Sequence, residues 1–255
     1  MSKINKLLTE WIKGDLHSLK WMRDRGVNQN LAYQYFKNGS LDKVGPGIYK
    51  RREEKVSWMG AVRLLQDELG KKLHISGRTA LELTGVSHYV PMGKNSKVFL
   101  TTYEKAKLPK WFLENDFDCD FSYQSLKLFS NELGISEFQS PFGFRLNISS
   151  RELAILELID LLDLSNSLET AENYLSGLTG LRADLLQKLL EDCTSIKVKR
   201  VFLYLSEKIA HSYFSKLDIS KIDLGKGKRQ IVKVDTQFDK KYQITVSKDY
   251  GESPF

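Results

Sequence analysis

Gln29, Asn30, Tyr33, Gln34 and Lys37 recur at i, i+1, i+4, i+5 and i+8, a spacing that places all five on one face of an α-helix. The amides suit bidentate contact with adenine edges and Tyr and Lys reach phosphates, so this face has the chemistry to read a DNA major groove. Directly downstream, LDKVGPGIYKRR contains two short β-prone pieces around Gly45-Pro46-Gly47 and a basic exit at Lys50, Arg51 and Arg52. Such a hairpin can lie along a phosphate backbone or dip into a minor groove. A second polar group consists of His74, Ser76, Arg78, Thr79 and His88, with Arg78 able to act as a phosphate fork and a histidine as acid or base. No carboxylate pair, nucleophile elbow, metal-ligand spacing or P-loop accompanies them in the sequence. Ser76-Gly77-Arg78-Thr79 reads equally as a helix N-terminus, with Ser76 capping and Arg78 pairing to a neighbour.

These residues need elements to position them. Asn28 stands where an N-cap should, and the helix it starts runs to about Asn38, with Gly39 as its stop. Val27, Ala32, Tyr35 and Phe36 form the stripe expected to face inward. Upstream, INKLLTEWIKG and LHSLKWMRDRG predict two further helices, with Leu7, Leu8, Trp11 and Ile12 on one and Leu16, Leu19 and Met22 on the other supplying a three-helix core. Residues 1–55 thus predict a winged helix-turn-helix that binds double-stranded DNA. A small helical domain with a basic solvated face is the plainer alternative, and charge weighs against it only in part: this segment holds twelve Lys/Arg and six Asp/Glu.

The remaining chain, residues 56–255, predicts a mixed α/β part (56–148) and a mostly helical part (149–255), so the fold class is α+β. SWMGAVRLLQDELG and GRTALELTG read as helices, and SKVFLTTY, DFDCDFSY and FGFRLNI as strands. SRELAILELIDLLDL, TAENYLSGL, RADLLQKLLEDC and VKRVFLYLSEKIAHSYFSKL follow as helices with short connections. The last segment, with IVKVD and YQITVS, is either a closing hairpin or a loosely held basic tail. Residues 149–193 carry three basic and nine acidic groups, residues 194–250 thirteen basic and six acidic. His17 and His211 fall in helical patterns as partly exposed residues, and Trp58 and Trp111 read as core anchors. A length of 255 residues allows two or three units. No run of about eighteen apolar residues exists and no signal-peptide h-region is present, which predicts a cytoplasmic chain without membrane contact. Cys119 and Cys193 stand far apart, outside any C-x-x-C, arguing against a disulfide framework or zinc site. The pI near 9.1 is compatible with nucleic acid.

Taken together, GVNQNLAYQYFKNGSLDKVGPGIYKR, Trp58-x-x-Ala61, Leu73-His74-Ile75-Ser76-Gly77-Arg78-Thr79-Ala80-Leu81, Gly85-Val86-Ser87-His88-Tyr89 and Leu108-Pro109-x-Trp111 resemble the AbiEi-family antitoxins of bacterial type IV toxin–antitoxin and abortive-infection systems. The resemblance covers roughly residues 15–160. It implies a non-enzymatic, bifunctional protein without cofactor. The N-terminal winged helix would bind inverted repeats in its own promoter, and the larger C-terminal region would oppose a nucleotidyltransferase-like toxin without a stable complex. It further implies that Gln29, Asn30, Tyr33, Gln34 and Lys37 occupy recognition-helix positions and Lys50 and Arg51 the wing exit, and it places His74, Ser76, Arg78, Thr79, His88 and Tyr89 in the antitoxin region. Many relatives carry Arg where this chain has Gln29 and Gln34, so the operator should shift from guanine toward adenine. The alternative is a winged-helix regulator whose C-terminal part senses a ligand or dimerises.

Overall fold

Three short helices open the chain, and each begins on a side chain that accepts an otherwise orphaned backbone N–H. Ser2 caps α1 (Lys3–Glu10) through Asn5 N, Ser18 of β1 (His17–Ser18) caps α2 (Leu19–Asp24) through Trp21 N, and Asn28 caps α3 (Gln29–Lys37) through Leu31 N. Helices this short are marginal alone, so packing must complete them. Leu7, Trp11, Met22, Val27, Ala32, Tyr35, Leu41 and Tyr49 form one buried cluster that does so. Gly26, at φ 78°, turns the chain between α2 and α3 and lets Val27 N return to Met22 O at 3.0 Å. β2 (Leu41–Gly45) and β3 (Ile48–Arg51) form the wing hairpin, and β1 adds to β3 to give the order β1-β3-β2.

The computed structural model describes residues 2–86, 96–143, 145–162, 164–231 and 236–247. After the wing come α4 (Trp58–Arg63), a π-helical turn (Leu64–Glu68), β4 (Leu73–Ile75), α5 (Gly77–Leu83), β5 (Lys97–Thr102), α6 (Lys110–Glu114), β6 (Asp120–Ser125), β7 (Ile135–Gln139) and β8 (Arg145–Ser149). α7 (Arg151–Leu161), α8 (Leu164–Ser176), α9 (Ala183–Asp192), α10 (Ile196–Ile209), β9 (Arg229–Gln230), β10 (Thr236–Asp239) and β11 (Ile244–Ser247) complete it. The fold is α+β. The chain divides into one unit of Met1–His74, Pro91–Ser125 and Glu137–Ile148 and another of Ile75–Val90, Leu126–Ser136 and Ser149–Phe255.

In the first unit, the winged helix is followed by most of a five-stranded sheet of order β6-β5-β4-β8-β7, with β5 and β6 parallel. Gln66 ties the π-helical turn to this sheet, its amide nitrogen donating to Leu73 O and Asn147 O and its amide oxygen accepting from Asn147 N. Gly45 closes the wing against Trp111: a Cβ there would lie 2.6 Å from Trp111 Cβ. Trp111 is thus the buried anchor its pattern predicts, whereas Trp58 is only half-buried.

In the second unit α7 is central, with Leu153, Ala154, Ile155, Leu156, Leu158 and Ile159 all buried and α5, α8, α9 and α10 packed around it. α10 stops at Ala210, which adopts φ 60°, so the long helix predicted through Leu217 ends eight residues earlier and gives way to a 3-10 turn at Phe214–Lys216. At the C-terminal end β10 and β11 form an antiparallel hairpin and β9 pairs parallel to β11. Of the two strands predicted there, YQITVS supplies β11, and IVKVD lies mostly outside the described residues. β10, formed by TQFD, pairs with β11. Arg200 holds this segment: it donates to Leu224 O at 2.7 Å, Gly227 O at 2.7 Å, Gln243 O at 3.1 Å and Gly225 O at 3.2 Å.

Candidate nucleic-acid interface

On α3 the inward face is filled by Ala32 and Tyr35, preceded by Val27, and the outward face presents Gln29, Asn30, Tyr33, Gln34 and Lys37, all exposed. Tyr33 is 53% exposed, and the Lys37 ammonium lies 5.5 Å from the centre of its ring. Phe36 departs from the expectation that it is core. It is 37% exposed and its ring centre lies 6.3 Å from that of Tyr33. Tyr35 already closes the core on that side, so the helical period carries Phe36 out to the edge of the polar face.

The wing-exit cations are placed differently from those of α3. Lys50 Nζ donates to Glu54 O at 2.9 Å and lies 3.6 Å from the Asp42 carboxylate. Arg51 Nη1 donates to Trp11 O at 3.2 Å, and its Nε is 3.6 Å from Glu54. Both are half-buried and brace the hairpin. Arg52 is exposed, lies 3.3 Å from Glu53, and donates from Nη1 to Gly39 O at 3.0 Å, steadying the end of α3. Lys43, on β2, is exposed, and among the described residues it has no ion-pair partner. Alternation along LDKVG was the signal that could have singled it out.

A buried polar network stands at the base of the wing sheet. Arg63, from the end of α4, donates from Nε to Asp15 at 2.7 to 2.8 Å and from Nη2 to Leu16 O at 2.5 Å and Glu68 at 2.9 Å. Glu68, delivered by the π-helical turn, also meets His17 Nδ1 at 2.6 Å and accepts from Ser18 N at 2.7 Å. His17 therefore lies on β1, buried and stacked on Trp21 with ring centres 3.5 Å apart, not partly exposed on a helix. Burial pushes the Asp15 carboxyl up to about 6 against the pull of Arg63. Burial acts in the same direction on Glu68, but hydrogen bonds from His17 and Ser18 outweigh it and hold the group down at about 2. Burial lowers the pKa of His17.

Each described member of the second polar group has a partner within the fold. His74, on β4, is buried with its ring 5.5 Å from that of Tyr103, and Ser76 and Thr79 are buried at the start of α5; none of the three is without a partner. Ser76 occupies the N-cap position but its side chain does not cap. Glu157 of α7 takes that role, fully buried and accepting from Gly77 N at 3.0 Å and from Ser149 Oγ at 2.6 Å. Arg78 is 47% exposed at its side chain and pairs with Glu82 at 2.7 Å, which also accepts from Tyr174 Oη at 3.0 Å. His88 and Tyr89 lie outside the described residues. Cys119 and Cys193 are free thiols, and no helix among the described residues is long and apolar enough to cross a membrane.

Residues 1–92 match the family model described as "Transcriptional regulator, AbiEi antitoxin N-terminal domain". Residues 95–247 match the one described as "Transcriptional regulator, AbiEi antitoxin, Type IV TA system". Among solved structures, the RV2827C protein from Mycobacterium tuberculosis is similar in fold, with a TM-score of 0.59 over 95% of this chain and 89% of that one at 10% identity. No curated protein matches the sequence.

Proposed function

Since the chain belongs to the AbiEi antitoxin family of type IV toxin–antitoxin transcriptional regulators, we propose that it represses its own operon by docking α3 into the major groove of promoter inverted repeats. In the same reading the remainder of the chain counteracts a nucleotidyltransferase-like toxin in the cytoplasm, without catalysis and without a stable complex. The observation that carries the DNA-binding part is the outward face of α3: Gln29, Asn30, Tyr33, Gln34 and Lys37 are exposed on a helix whose other face is locked into the core. Gln29, Asn30 and Gln34 would read base edges, and Tyr33 and Lys37 would reach phosphates. Lys43 is the wing cation best placed to follow the backbone, since Lys50 and Arg51 are engaged within the hairpin and Arg52, though exposed, is engaged by Gly39 O and Glu53.

The test is a fluorescence-anisotropy titration of the chain against its own promoter and a random duplex at several salt concentrations. Promoter affinity should exceed random affinity by a factor of about 10³ or more. Lys37→Ala should weaken both and lower the salt slope by about one. Equal affinity for the two duplexes at every salt concentration would sink the reading. The antitoxin part is tested by co-expression with the toxin, where the full chain should restore colony formation.

A further inference from the structure

We infer that Phe36 is a specificity-determining residue that packs against the C5-methyl group of a thymine in the operator, an inference that rests on the proposed docking of α3 in the major groove. Phe36 follows Gln29 by seven residues and Tyr33 by three, so at 3.6 residues per turn it lies on the rim of the same outward face. At 37% exposed it is outside the buried cluster that holds α3, and among the described residues its ring neighbour is Tyr33, which is itself exposed on the outward face. A large apolar side chain at the rim of a polar, cationic face gains by meeting an apolar group in whatever that face binds. Duplex DNA offers one in the major groove, the thymine methyl.

Charge selects this occupant over another protein surface. The first 55 residues hold twelve Lys/Arg against six Asp/Glu, and Lys37 follows Phe36 directly. The amide neighbours add a geometric condition. Gln29 shares the Phe36 side of the helix, and a glutamine suited to adenine N6 and N7 places the adjacent base step within reach of the aromatic ring. The operator half-site should therefore contain a thymine beside the adenine that Gln29 reads.

The experiment removes the methyl groups alone. Promoter fragments of identical sequence are made with thymine and with uracil throughout and titrated with wild type, Phe36→Ala, Phe36→Gln and Gln34→Ala, alongside a random duplex. Wild type should bind the thymine fragment about fourfold tighter per contacted methyl, the scale of burying one such group. Gln34→Ala should keep that preference, which discounts any change in groove shape caused by uracil. Both Phe36 variants should lose it while keeping wild-type affinity for the random duplex. Wild type without a thymine preference, or Phe36 variants that retain it, overturn the assignment. So does a Phe36 variant that weakens thymine, uracil and random duplexes by one common factor, which reports damage to the helix. Loss of self-association with an unchanged thymine preference assigns Phe36 to a contact between copies of the chain instead. If wild type does not distinguish promoter from random duplex at all, the DNA-binding reading fails, and the failure is visible as such.

Discussion

α3 and α5 are both short helices carrying the residue types that chemistry uses, and they differ in where those residues find their partners. On α3 the amides, the phenol and the amine point outward, while the fold is secured by Val27, Ala32 and Tyr35 behind them. On α5 the polar groups are engaged at home: Gly77 N with Glu157, Arg78 with Glu82, and Glu82 in turn with Tyr174. The same distinction separates Lys37 from Lys50 and Arg51, and it separates the wing face from the buried Asp15, His17, Arg63 and Glu68 network beneath it. A polar side chain committed inside contributes to stability; one left uncommitted on a rigid helix is available to a partner. Substitutions should therefore divide into those that lower the melting temperature and those that lower promoter affinity.

The largest break should come from Arg63. Arg63→Leu leaves Asp15 and Glu68 buried without their cation and should cost about 3–5 kcal/mol by urea unfolding. A change below about 1 kcal/mol would mean that the network is solvated. Because Asp15 and His17 belong to residues 1–55 and Arg63 and Glu68 do not, a fragment beginning at residue 56 inherits the same defect and should express poorly.

The pH response sharpens the point. Glu68 is held at about 2, below its ordinary 4.5, so its carboxylate stabilises the fold above pH 4.5 and that contribution is lost as pH falls toward 2. The full contribution is on the order of 3 kcal/mol. Asp15, lifted from 3.8 to about 6, runs the other way, contributing below pH 3.8 and losing that contribution as pH rises through 6. The Glu68 share is therefore read as the difference between wild type and Glu68→Gln. That difference should be large at pH 7 and shrink between pH 4.5 and 3, and a difference independent of pH would contradict the assignment.

Glu157→Ala should come next. It strips the N-terminus of α5 and Ser149 Oγ of a buried acceptor, costing about 1–3 kcal/mol. Arg78→Ala should be smallest, about 0–1 kcal/mol, because the guanidinium is half in water. Toxin rescue by that variant should follow its small stability change. Rescue abolished at an unchanged melting temperature would instead make Arg78 a functional contact and break the contrast between α3 and α5.

The parts of this division that are local were legible in the amino-acid order. Asn28 as cap, Gly39 as the stop of α3 and the wing at Gly45-Pro46-Gly47 each depend on a few neighbouring residues. Phe36 was misplaced because helical period alone does not say how wide the buried stripe is. β4 went unrecognised because Leu73-His74-Ile75 is three residues long and carries a histidine, and β7 because ISEFQ alternates weakly. Glu54, three and four residues beyond Arg51 and Lys50, is a local neighbour, whereas the bracing of Arg51 by Trp11 O was not legible because forty residues separate the two. For the same reason the Arg63 network was invisible: Asp15 and His17 are brought to Arg63 from more than forty residues away.

The central claim is that the uncommitted face of α3 reads the promoter while the committed polar groups hold the fold. It is tested most directly by measuring promoter Kd and melting temperature on the same preparations of Gln34→Ala and Glu157→Ala. Gln34→Ala should lose about 1–3 kcal/mol of promoter binding at an unchanged melting temperature, and Glu157→Ala should melt lower yet bind the promoter as wild type does at a temperature where it is folded. Promoter affinity unchanged in Gln34→Ala, or lost in both variants together, would contradict the account.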